Sequence, residues 1–164
     1  MIGGFKMNRR TALKSTLLGG AALVLGRKMA MAKEYFPVSV DESLFLTINR
    51  VKDPAHMTGL EKKHSPVINA PEEANAGQVF DVEIVIGEIL HPMGPNHWIE
   101  YLQLNMGNEP CGRIDFRSHG YLKPKTRLSV VAGDDLKGKT VSLVVQIKCN
   151  LHGIWENYRN VDVT

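Results

Sequence analysis

Thr140-Val141-Ser142-Leu143-Val144-Val145-Gln146-Ile147-Lys148-Cys149 decides the fold. Val141, Leu143, Val145, Ile147 and Cys149 share one side of a two-residue repeat, and Ser142, Gln146 and Lys148 share the other with Val144. Side chains alternate faces along an extended chain. The pattern therefore predicts a strand whose last inward-facing group is the Cys149 thiol. Asn150-Leu151-His152-Gly153-Ile154-Trp155-Glu156 follows, with an imidazole three positions after that thiol and a further strand predicted over about 155–163.

Residues 79–86 repeat the pattern, with Phe80, Val82, Ile84 and Ile86 against Asp81 and Glu83, as in an antiparallel strand with one wet face. Residues 43–51, 98–106 and 126–132 also read as strands. Between them, 52–63 reads as irregular, with Asp53-Pro54 and Gly59 as breakers, and 69–78 and 133–139 read as loops. No amphipathic helix is evident after residue 33. Short strands separated by turn signals predict one all-β domain, an antiparallel β-sandwich of about seven strands.

The first 32 residues read differently. Asn8-Arg9-Arg10-Thr11-Ala12-Leu13-Lys14 has the form of a twin-arginine export signal, and an apolar run and Ala30-Met31-Ala32, a small-x-small cleavage site, follow. Residues 1–32 are therefore expected to be a signal peptide and 33–164 the exported domain, in the periplasm. The run is too short and too weakly apolar for a membrane span. The leader carries six cations and no acid, so its removal turns a net charge of +3 into −3. The basic balance belongs to the leader. With no basic stripe in the rest of the chain, nucleic-acid binding is not expected.

Six histidines and two cysteines are available: His56, His64, His91, His97, His119, His152, Cys111 and Cys149. Cys149 and His152 can chelate from one loop. His91 and His97 flank Pro92, Gly94 and Pro95, which break an extended path and let the segment fold back toward one centre. An oxidising compartment leaves a Cys111–Cys149 disulfide as the competing reading for the thiol. Two histidines, a cysteine and a methionine would make an electron-transfer copper site, but no Met follows His152 at short spacing. A closed structural zinc site takes four ligands, fewer than are on offer.

Lys63-His64-Ser65-Pro66-Val67-Ile68, His91-Pro92-Met93-Gly94-Pro95-Asn96-His97-Trp98-Ile99 and Cys149-Asn150-Leu151-His152-Gly153-Ile154-Trp155 together resemble the superoxide reductases of the desulfoferrodoxin and neelaredoxin family. The resemblance implies an immunoglobulin-like β-sandwich and a mononuclear non-haem iron, with His64, His91, His97 and His152 equatorial and Cys149 axial. It implies one-electron reduction of superoxide to hydrogen peroxide, fed by an electron-donor protein. The donor would be rubredoxin-like or, for an exported protein, a c-type cytochrome. Dimers or tetramers are implied as well. Lys63 stands where the family's functional lysine precedes its first histidine. Many members read Glu-Lys-His, and that glutamate caps the oxidised iron. Here Lys62 occupies that place and Glu61 lies one residue further back, so Glu61 would need a flexible loop to reach. Met93, Trp98 and Trp155 are expected to pack rather than to ligate or relay electrons.

Overall fold

A computed structural model describes residues 40–164; the expected signal segment, 1–32, lies outside them. Nine strands build two facing sheets: β1 (Ile48–Asn49), β2 (Pro66–Asn69), β3 (Glu73–Ala74), β4 (Val79–Ile86), β5 (Ile99–Met106), β6 (Glu109–Asp115), β7 (Lys125–Val131), β8 (Thr140–Cys149) and β9 (Gly153–Val163). The larger sheet runs β1-β9-β8-β5-β6, with β3 also on β9; the smaller runs β2-β4-β7. All pairings are antiparallel except the two-residue β1 and β3, which run parallel to β9. The β-sandwich expected from the sequence is the observed fold, with seven strands of four or more residues.

Leu143, Val145, Ile147 and Cys149 of β8 face inward and are fully buried, as are Val82, Ile84 and Ile86 of β4. Each such aliphatic contributes roughly 1.5–3 kcal/mol by leaving water. The mixed alternation of β5 has a local cause. Its pairing with β8 slips between Ile99 and Tyr101, which is a bulge. The extra residue lets Ile99 and Leu102, three apart, both face the core at 0% exposure.

Two expectations need correction, and β6 lies where no strand was expected. Residues 43–51 are not one strand: Glu42–Phe45 is a 3-10 turn capped by the Asp41 side chain, and only Ile48–Asn49 pairs. Leu46 is 82% exposed, so the apolar alternation there faced no core. The segment 52–63 is not irregular throughout. Gly59–His64 forms a short helix, α1, because Thr58 and Glu61 make a capping box that satisfies orphan N–H groups at its start. Strand β6 carried no alternation because nearly all its residues are exposed at the edge of the sheet.

The antiparallel registers bring several element ends to one rim. Pro66 pairs Ile86, Ile99 pairs Cys149, and Cys149 pairs Gly153. The end of α1, the start of β5 and the β8–β9 hairpin thus meet where the histidine-bearing segments lie.

Candidate metal centre

Each donor is placed by a different device. His64 is the last residue of α1, and His91 follows the turn closed by its own N–H on the Ile86 carbonyl (3.1 Å). His97 directly precedes the Trp98–Ile99 entry into β5, and Cys149 and His152 frame the hairpin between β8 and β9. The four imidazoles form a ring of neighbours. Centroids are 4.7 Å apart for His64–His91, 4.5 Å for His91–His97, 4.8 Å for His97–His152 and 4.6 Å for His152–His64. The diagonal His64–His97 is 6.0 Å. Donor atoms of His64, His97, Cys149 and His152 lie within 4.8 Å of one another. His91 joins them through its Nε2, 3.1 Å from His64 Nε2.

The hydrogen bonds fix which nitrogens can bind a cation. His64 Nδ1 lies 2.7 Å from the Leu60 carbonyl and His91 Nδ1 lies 2.6 Å from the Pro92 carbonyl. A carbonyl only accepts, so both Nδ1 atoms carry the proton. In neutral rings each Nε2 then presents a lone pair. Two lone pairs 3.1 Å apart cannot bond each other; they can both bind a cation. His97 Nε2 is buried and has no protein partner. Three unsatisfied lone pairs, an imidazole and a thiol around one point fit a borderline metal ion. His152 Nδ1 is 3.3 Å from the Cys149 sulfur. Both cysteines are free, Cys111 exposed and Cys149 buried, so the disulfide alternative does not hold.

Burial sets the charge states. Desolvation lowers His64 to about 4 and His91 to about 3, with neighbouring histidines adding to the effect. Desolvation also lowers His97 and His152, and Lys63 contributes to both. Desolvation raises the Cys149 thiol to about 11, opposed by hydrogen bonds from the Leu151 and His152 backbone N–H groups. All four rings are thus neutral at pH 7, and a metal need displace only the thiol proton.

A pH dependence follows for the metal-free protein. His64 and His91 have folded values below the ordinary 6.5, so the unfolded chain takes up protons first as pH falls. Stability present above pH 6.5 is then lost between about 6.5 and 4 for His64 and between about 6.5 and 3 for His91. The slope approaches roughly 1.4 kcal/mol per pH unit for each ring. Urea melts at a series of pH values would measure it; a flat profile across that window would contradict neutral burial of these rings.

The remaining residues fall outside the cluster. Glu61 is placed by its helix rather than by a flexible loop. Its carboxylate accepts the Lys52 N–H at 3.0 Å, the Thr58 N–H at 2.7 Å and the Thr58 hydroxyl at 2.8 Å. Those bonds hold its pKa down and occupy it as a helix cap. Lys63 is exposed at the end of α1, close enough for its charge to act on His64, His97 and His152. His56 pairs with Asp53 at 2.8 Å on the surface, and His119 is an exposed loop residue at φ 86°. Met93 packs in the core, its sulfur accepting the Ile99 N–H at 3.4 Å. Trp155 stacks on the His64 ring at 5.2 Å and donates to the His152 backbone carbonyl at 2.8 Å.

The desulfoferrodoxin family model matches residues 56–158, which include all five donors. A provisionally named superoxide reductase of Methanocaldococcus jannaschii is 38% identical over 114 residues, covering 70% of this chain and 92% of that protein. The superoxide reductase of Pyrococcus abyssi is 38% identical over 103 residues, covering 58% of this chain and 84% of that protein. Among solved structures, the superoxide reductase (neelaredoxin) of Ignicoccus hospitalis superposes with a TM-score of 0.54 at 30% identity, covering 62% of this chain and 81% of that one. The copper-protein alternative finds no support among these relatives. A β-sandwich that gathers four imidazoles and a thiol at one rim, and whose sequence matches from residue 56 to residue 158, belongs to the desulfoferrodoxin family.

Proposed function

We propose that this protein is a superoxide reductase working through one non-haem iron, held by His64, His91, His97, His152 and Cys149. The observation that carries the reading is the convergence of unsatisfied imidazole lone pairs on a single buried thiol. Neutral imidazoles and one thiolate suit iron, and an iron held by these five donors would still be able to take a further ligand. When bound, iron supplies the single electron that superoxide takes up with two protons to give hydrogen peroxide.

The chain's own residues do the rest. The carbonyls of Leu60 and Pro92 keep the protons of His64 and His91 on Nδ1, so that Nε2 faces the centre. The N–H groups of Leu151 and His152 moderate the basicity of the sulfur. Lys63 places a cation beside the approach of an anionic substrate. Neutralising it in Lys63→Ala should slow the bimolecular step by about tenfold and flatten its dependence on ionic strength. A rate and salt slope equal to the wild type's would remove that role.

Export through the twin-arginine leader would deliver the protein, folded and loaded, to the periplasm, where a c-type cytochrome or a rubredoxin-like protein would return the electron. Assembly as a dimer or tetramer belongs to the same reading. The function is tested by exposing iron-loaded, pre-reduced protein to a superoxide pulse without dioxygen. One hydrogen peroxide per superoxide, with no dioxygen evolved, supports reduction; dioxygen formed in dismutase stoichiometry contradicts it.

A further inference from the structure

Four of the five donors have a partner at the ring or sulfur. His64 and His91 are fixed through Nδ1, and the His152 Nδ1 lies 3.3 Å from the Cys149 sulfur. The His97 ring makes no hydrogen bond to any described residue, and its Nε2 is buried without a partner. Its aim therefore depends on its backbone. That backbone is clamped from both sides by one residue. The Asn150 side chain accepts the Trp98 N–H at 2.8 Å through Oδ1 and donates through Nδ2 to the Asn96 carbonyl at 3.0 Å. The Asn150 backbone N–H donates to the Trp98 carbonyl at 3.2 Å, and the Gly94 N–H holds the His97 carbonyl at 2.9 Å.

We infer that Asn150 is a positioning residue. Its side-chain amide ties the residues before and after His97 to the Cys149 turn and so sets where the His97 ring meets the metal. An amide is the group this job requires, because it must accept from one peptide and donate to another at once. A carboxylate cannot donate, and an alkyl group does neither. The inference rests on His97 being a ligand. It gives Asn150 a role distinct from that of Cys149 beside it and His152 two residues on.

The test is a double-mutant cycle read by anaerobic Fe2+ affinity, using chelator competition on the full exported domain. Asn150→Ala should weaken Fe2+ binding by about tenfold to a hundredfold, the usual effect of losing an outer partner of a ligand. In a His97→Ala background the same change should have almost no further effect, because the group it positions is gone. Asn157→Ala, which removes a comparable side-chain bond to the Pro66 carbonyl at 2.9 Å, should leave Fe2+ affinity within about twofold of the wild type in either background. Equal losses with and without His97, or no loss at all, would overturn the inference. If Asn150→Ala does not fold, Asn150→Asp keeps the acceptor for Trp98 and should show a smaller loss with the same dependence on His97. A wild-type protein that binds no Fe2+ would overturn the metal-centre reading and this inference with it; additivity would overturn this inference alone.

Discussion

Cys149→Ser is expected to lower the rate of superoxide reduction by at least about a hundredfold while leaving the protein folded and able to bind metal. Cys149 lies at 0% exposure on the inner face of β8, its sulfur within 4.8 Å of donor atoms of His64, His97 and His152. Serine is nearly isosteric and its hydroxyl can accept the N–H groups of Leu151 and His152 that now bond the sulfur. The stability cost should therefore stay near 1 kcal/mol. The chemistry cannot be replaced in that way. A serine hydroxyl keeps its proton near neutrality, so the site would lose the one anionic, polarizable donor it could offer a metal. Loss of a mere outer partner costs ten- to hundredfold; loss of the ligand itself should exceed that. Pulse radiolysis gives the rate, and the visible absorption of the oxidised protein gives a second readout, since a sulfur-to-metal band should vanish. A variant that kept both rate and band would show that the thiol does not ligate.

Gly87→Ala should be strongly damaging although it adds only one methyl group near the site. Gly87 follows β4 at φ +83°, where a side chain is strained, and an added Cβ would stand 2.5 Å from the Lys63 carbonyl, 2.6 Å from the Ile89 carbonyl and 2.8 Å from the Lys62 carbonyl. All three are backbone and cannot swing aside. The Gly87 N–H also bonds the Ser65 carbonyl at 3.2 Å, and the Ile89 N–H bonds Lys62 at 3.1 Å. Relief of the clash must therefore push the end of α1, and His64 with it, away from the turn that leads to His91. A loss of about 3 kcal/mol is expected, of which the left-handed backbone accounts for roughly 1. That corresponds to on the order of 10 °C in Tm. Gly138, at φ +75° with nothing within 4 Å, supplies the comparison: Gly138→Ala should lose only the strain, about 1 kcal/mol. Thermal melts of the two variants separate clash from strain, and equal losses would contradict the crowding at Gly87.

What the sequence made legible was whatever a periodic pattern controls. Strands β4 and β8 have the bounds that their alternation predicts, and Cys149 faces inward because it falls in phase with Leu143, Val145 and Ile147. The candidate donors were readable for a different reason: proline and glycine let the segment from His91 to His97 fold back, the two-residue gap lets one loop offer Cys149 and His152, and the family resemblance joined His64 to them. What was not legible depended on contacts distant in sequence. The bulge at the start of β5 comes from pairing with β8. The edge strand β6 is wet on most of its length and so has no apolar phase. Glu61 reads as a mobile carboxylate until its partners are seen. Yet Thr58-x-x-Glu61 is a local signature of a helix start, and it was the available signal that this side chain is occupied. The clamp by Asn150 spans more than fifty positions, and no spacing rule points to it.

Five side chains are proposed to bind one metal through a mixed nitrogen and sulfur shell. X-ray absorption at the iron edge, on protein loaded anaerobically with Fe2+, tests this most directly. The expected result is one iron per chain with a nitrogen-dominated first shell and a single sulfur, the sulfur disappearing in Cys149→Ser. A first shell with no sulfur in the wild type, or iron that fails to reach one per chain, would contradict it.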